Sequence, residues 1–233
     1  MLRGVLLALV RRRWLGSLVG LVFEHFSWLL PVKRVLDGEQ IVAFHHPRPS
    51  QPDHILFVPK KAIKDIVQLS RPSNTLFFSA LLRSVVVAAA DCSAENWTLK
   101  VSGGSNRDVP QVHFHFLPEF QMIAESDPAP LTKIRTMSNA VVYTHVACPD
   151  WAMHLMVVLQ PQPSLQELLS AEGTLADALL RAVTSTIEDF ALDENPYSVA
   201  IQMRENQQTN KLTFHIVSEH LSLPRWRRSG SSE

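Results

Sequence analysis

The chain has 233 residues, 46% of them hydrophobic and 19% charged, the balance of a globular protein with room for one large domain or two small ones. Lysine plus arginine equal aspartate plus glutamate at 22 each, so no overall basic field drives non-specific nucleic-acid binding, and no nucleic-acid partner is expected. Cys92 and Cys148 are too few for a disulfide scaffold and lack zinc spacing, which fits a reducing, cytoplasmic setting; one disulfide stays formally open.

The first 23 residues hold no acid, four arginines (Arg3, Arg11, Arg12, Arg13) and two apolar runs, from Gly4 to Val10 and from Trp14 to Phe23. Neither run reaches the roughly 18 residues of a spanning helix. Residues 1–30 read as a basic, apolar helical segment suited to an anionic membrane surface, with a core-packed helix and a cleaved targeting segment as the alternatives. From residue 31 to 120 the pattern gives strands over about 40–46 and 53–59, a helix over about 75–91, and strands over about 96–102 and 111–117. In the last strand, alternation puts Gln111, His113 and His115 on one face and Val112, Phe114 and Phe116 on the other, which holds nitrogen-bearing groups rigidly above an apolar floor. Residues 121–138, with Asp127, Pro128 and Pro130, read as a linker, and 223–233 as a flexible tail.

The segment 139–222 repeats the first unit. His45, Pro49 and His54 recur 100 residues later as His145, Pro149 and His154, and Phe114, His115 and Glu119 recur at the same offset as Phe214, His215 and Glu219. Leu81, Leu82 and Arg83 of the first helical stretch return as Leu179, Leu180 and Arg181. The copy is degenerate: Lys211, Thr213 and His215 stand where the first unit has Gln111, His113 and His115, and threonine offers no imidazole. The expectation is therefore an α+β chain built on antiparallel sheet, its first unit active and its second a structural partner. Imidazole-only metal ligation by His45, His54, His113 and His115 is the alternative chemistry, but no carboxylate at a telling spacing supports it and no metal is expected.

The run from Val109 to Pro118, with Gln111, His113 and His115 alternating with apolar residues, resembles the signature of the histidine-triad (HIT) superfamily. The stretch from Leu30 to His45, the strand from His54 to Pro59, and Ser102-Gly103-Gly104-Ser105 extend that resemblance over about residues 23–120. It implies a HIT-like antiparallel sheet with helices. Together with the repeat it implies two tandem units forming an intramolecular pseudo-dimer of about ten strands, hence a monomer. The resemblance further implies a nucleotide hydrolase or nucleotidyl transferase without cofactor, acting on a nucleotide or nucleotide conjugate. His113 would be the nucleophile, His115 a donor to a phosphate oxygen, and Gln111 and His54 further active-site residues. Phe44, His45 and His46 would hold the nucleoside, and Gly103, Gly104 and Ser105 the phosphate. Three residues depart from the pattern: Gln111 replaces a histidine, His46 an aspartate, and Asp108 a hydroxyl residue. An amide donates a hydrogen bond but shuttles no proton near neutrality, so the second implied function is a non-catalytic nucleotide-binding or regulatory module, docked at a membrane surface through residues 1–30.

Overall fold

The computed structural model describes residues 33–74, 76–107, 109, 111–120, 131–145, 152–170, 174–204 and 211–219. The N-terminal helical segment, the C-terminal tail and Asp108 lie outside the described residues. The first unit contributes β1 (Arg34–Asp37), β2 (Ile41–His45), β3 (Ile55–Pro59), α1 (Ile66–Leu69), α2 (Phe77–Asp91), β4 (Trp97–Gly103) and β5 (Phe114–Pro118). The second contributes β6 (Leu131–Thr136), β7 (Ala140–His145), β8 (Met153–Leu159), α3 (Leu165–Ser170), α4 (Thr174–Asp189), β9 (Tyr197–Arg204) and β10 (Lys211–Ser218).

All ten strands join one antiparallel sheet in the order β1-β2-β3-β5-β4-β9-β10-β8-β7-β6, which has the same form from either edge. The halves meet along β4 and β9, paired from Trp97 opposite Met203 to Gly103 opposite Tyr197. At the centre of that pairing Lys100 faces Ala200 across the strands, and these two are also equivalent positions of the 100-residue repeat. A pseudo-two-fold axis therefore passes between them. The expected tandem pseudo-dimer is the fold of the chain.

Burial follows from the strand period. Ile41, Ala43, Ile55 and Phe57 point to one face and join the main core, while Val42, Phe44, Leu56 and Val58 form a small apolar cluster on the other. The main core is continuous across both halves. In α2 the buried residues Phe77, Phe78, Leu81, Leu82, Val85, Ala88 and Ala89 recur at helical spacing, as do Ala176, Leu179, Leu180, Val183 and Ile187 in α4. Phe78 of α2 lies 6.1 Å, ring centre to ring centre, from Phe214 of β10, so a first-half helix packs on a second-half strand. Arg83 Nη1 donates to the Leu169 carbonyl at 3.1 Å and ties α2 to α3.

Two expectations need correction. The segment 121–138 is not a linker throughout, because β6 occupies Leu131–Thr136 and pairs with β7. Its side chains are exposed or half-buried, so its sequence carries no hydrophobic alternation. The last strand of the first unit begins at Phe114, three residues later than Gln111. Residues 111–113 instead run beside the chain that leaves β3, where Val112 N–H donates to the Ile63 carbonyl at 2.8 Å.

Candidate active site

Four histidines gather on the sheet face that carries the small apolar cluster. His46 directly follows β2 and His54 directly precedes β3, and the His46 N–H donates to the His54 carbonyl at 2.8 Å, extending the β2–β3 ladder past its last full pair. That places their rings in parallel, 4.3 Å apart and 7° from coplanar. His115 of β5 sits beside Leu56 of β3, and its ring lies 5.2 Å from His54 and 5.0 Å from His113. A row of residues crosses the sheet here: Phe44, Leu56, His115, Lys100 and Ala200 are successive neighbours.

Hydrogen bonding fixes which nitrogen of each ring carries the proton. The Ser50 N–H points at His54 Nδ1 (3.3 Å), and a backbone N–H can only donate, so Nδ1 is the acceptor and the His54 proton sits on Nε2. His54 Nε2 lies 3.0 Å from His115 Nδ1 and donates to it, which puts the His115 proton on Nε2. His46 Nδ1 accepts from the Arg48 N–H at 3.0 Å, so its proton is also on Nε2. His113 is opposite in sense: its Nδ1 lies 2.9 Å from the Gln111 carbonyl oxygen, which can only accept. The His113 proton is therefore on Nδ1 and the lone pair on Nε2. His113 thus offers a nitrogen base while His46 and His115 offer Nε2–H donors, and the His54 N–H is spent on His115.

Burial keeps the donors neutral. His54 is 5% exposed, and desolvation with the charge of His46 pushes its pKa down to about 4. His115 is held far below the ordinary imidazole range, first by burial and then by the like charges of His113, His54 and His46. Burial also lowers His46.

The structure places the remaining expected residues differently. Gln111 is 2% exposed, and its side chain does not join the histidines. Its Oε1 accepts from the Ile63 N–H at 3.2 Å, while Nε2 donates to the Pro59 carbonyl at 3.1 Å and the Lys61 carbonyl at 3.0 Å. Among the described hydrogen bonds it meets His113 through its backbone carbonyl, so the structure does not bring its side chain, expected among the catalytic groups, to the histidines. Phe44 lies on the histidine face, beside Leu56. His45 pairs with Ile55 and by alternation falls on the opposite face with Ile41 and Ala43, so it is not part of the cluster. Gly103 and Gly104 are explained by packing between the halves: a Cβ on Gly103 would meet the Tyr197 ring, and one on Gly104, whose φ is 59°, would meet the Asn195 carbonyl. Ser105 is exposed beside them. None of the three has a contact with the histidines among the described hydrogen bonds and ring contacts. Ser50 and the Arg48 N–H, which orient His54 and His46, were not singled out by sequence; they sit in an irregular turn with no pattern to mark them.

His46, His54 and His115 have ligand-capable nitrogens within 4.8 Å of one another, the group among the described residues able to hold a metal. An ion on all three would have to break the His54–His115 hydrogen bond. The second half keeps that bond: His154 Nε2 lies 2.8 Å from His215 Nδ1, with both side chains buried. What it lacks is the base, since Thr213 stands at the position of His113.

The family model of the HIT domain matches residues 30–122. An uncharacterised 13.2 kDa HIT-like protein from the hisE 3′ region of Azospirillum brasilense is 32% identical over 90 residues, which is 37% of this chain and 74% of that protein. Over the greater part of the chain the fold is similar to that of a galt-like protein from Arabidopsis thaliana, with TM-score 0.55 and 12% identity, covering 85% of this chain and 81% of that one. It is also similar to a uridylyltransferase mutant, with TM-score 0.52 and 13% identity, covering 78% and 77%. At these identities the two structures show likeness of fold.

Proposed function

This chain belongs to the histidine-triad (HIT) family, and we propose that it is a nucleotide hydrolase or nucleotidyl transferase in which Nε2 of His113 attacks the α-phosphorus of a nucleotide derivative. The observation that carries this reading is the proton arrangement: the lone pair of His113 lies on Nε2, and His115, whose ring is 5.0 Å away, carries its proton on Nε2. In the first step a bond forms between Nε2 and phosphorus, and the bond from phosphorus to the leaving group breaks with its electron pair departing on that group. The imidazole becomes cationic as it bonds, and its Nδ1–H donates to the Gln111 carbonyl, which stabilises that charge. His115 Nε2–H donates to a non-bridging phosphate oxygen as negative charge builds there, and His54 holds His115 in the required tautomer. In the second step water, or another hydroxyl acceptor, attacks phosphorus and the N–P bond breaks. The electron pair returns to Nε2 and the acceptor's proton ends on the released leaving group. Phe44 and His46 wall the nucleoside on the same face.

One observation favours a second reading. With Gln111 occupied by backbone groups and the buried imidazoles held neutral, the described cluster has no group that readily gives up a proton to a poor leaving group, which suits binding without turnover. Incubating the full chain with radiolabelled dinucleoside polyphosphates and adenosine phosphoramidates separates the two. The enzyme reading expects nucleotide release that His113→Ala abolishes while the circular dichroism spectrum is unchanged. Saturable binding with no release, or full activity in His113→Ala, would overturn it.

A further inference from the structure

The polar residue that follows His115 in the row across the sheet is Lys100. It is the one lysine or arginine in strands β2, β3, β4 and β5, and it lies half-buried in β4 between Leu99 and Val101, both of which belong to the main core on the other face. A lysine on a core strand loses side-chain freedom and solvation, so its position asks for an anionic partner. Arg107, which follows the end of β4, is already engaged by Asp65 and the Gly104 and Lys64 carbonyls. The histidines beside Lys100 are held neutral and supply donors without charge.

The second half shapes the other side. The equivalent of Lys100 there is Ala200, directly across the pseudo-two-fold axis, so the position opposite the ammonium carries a methyl group and no second lysine. Ser102 faces Ser198 and Thr98 faces Gln202 along the same two strands, and all four fall on the Lys100 face by alternation. Neutral hydroxyl and amide groups thus flank one cation.

We propose that Lys100 is the contact for a second phosphate, lying across β4 from the phosphate that His113 attacks, so that the site takes nucleoside diphosphate and polyphosphate conjugates in preference to derivatives of a nucleoside monophosphate. Adjacent strands are about 4.8 Å apart, within reach of a lysine stem for the phosphate next to one held at His115. The charge of Lys100 also contributes to keeping His115 neutral, which is consistent with the two lying together. The inference rests on the site being a nucleotide site, as set out above.

The test is calorimetric titration of the full chain, as wild type, Lys100→Met and Lys100→Arg, with mono- and diphosphates of adenosine and uridine. Wild type should bind the diphosphate of its preferred base about tenfold more tightly than the monophosphate. Lys100→Met should bring that ratio to within about twofold with monophosphate affinity little changed, and Lys100→Arg should keep it. A ratio that survives in Lys100→Met, or a wild type that binds both nucleotides equally, overturns the role of Lys100 while leaving the nucleotide site standing. If wild type binds none of the four, the nucleotide reading fails and this inference fails with it. Should Lys100→Met not fold, raising salt on the wild type reads the same contact: the diphosphate preference must fall as ionic strength rises, and a salt-independent ratio overturns it.

Discussion

Replacing Gln111 by methionine tests whether this position is a clamp or a proton carrier. Methionine is unbranched and near in volume, so it leaves no large cavity, but it returns three backbone groups to the interior without partners: the Ile63 N–H and the Pro59 and Lys61 carbonyls. The first two bonds lie in buried surroundings and each costs about 1 to 2 kcal/mol to lose. The Lys61 carbonyl belongs to an exposed residue and recovers water, adding little. The expected loss is about 3 kcal/mol, which at a urea dependence of roughly 3 kcal/mol per molar lowers the midpoint by about 1 M. Circular dichroism of the full chain in urea reads this directly. Turnover per folded molecule should stay within about tenfold of wild type, because His113 leans on the backbone carbonyl of residue 111, which survives the substitution. Gln111→His should behave similarly, less stable and within about tenfold in rate, since imidazole cannot meet three backbone groups at once. An unchanged midpoint in Gln111→Met, or a gain of about 10²-fold or more in Gln111→His, would refute the clamp and make position 111 a proton-transfer site.

Four further outcomes are expected. His54 has a folded pKa of about 4 against an ordinary value near 6.5, so the unfolded chain takes up the proton first; stability is full above about pH 6.5 and falls by up to about 3 kcal/mol as pH drops toward 4. His115 and His46, whose pKa values are also depressed, add to that slope, so thermal unfolding against pH should show it and His54→Asn should make it shallower without abolishing it. Gly104→Ala forces a side chain into a positive φ and against the Asn195 carbonyl, so it should cost more than about 2 kcal/mol in urea unfolding; a neutral result would contradict the packing between halves. Light scattering should show the full chain as a monomer, because β9 of the same chain already covers the β4 edge, and an obligate dimer would count against that. Deleting residues 1–22, which carry four arginines and no acid, should release the protein from anionic vesicles without loss of nucleotide turnover; retained vesicle binding would place the contact elsewhere.

The repeat was legible because its two copies keep histidines at an offset of 100 and a helix tripeptide at an offset of 98, and the sheet order follows once two such units are joined edge to edge. β6 was not, since Leu131–Thr136 lies at the sheet edge with exposed side chains and owes its extended form to pairing with β7. The histidines were legible as residue types, but not the tautomers that the structure gives them. The proton positions depend on the Ser50 and Arg48 N–H groups in an irregular turn, and the diversion of Gln111 depends on the chain leaving β3 passing alongside it. Gly103 and Gly104 suggested close approach of a phosphate. Their neighbours prove to be Tyr197 and Asn195, about ninety residues away in sequence, which no local pattern could reveal. Lys100 was invisible for the same reason: its meaning lies in the register that sets it between His115 and Ala200.

The central claim is that the sequence of hydrogen bonds makes Nε2 of His113 the attacking atom. Trapping the full chain with a labelled nucleotide substrate, followed by mass spectrometry and ³¹P–¹⁵N correlation on the trapped species, tests it most directly. The account predicts an acid-labile nucleotide on His113, bonded through Nε2. A nucleotide on Nδ1 of His113 or on another histidine, or turnover with no covalent species under any quench, would contradict it.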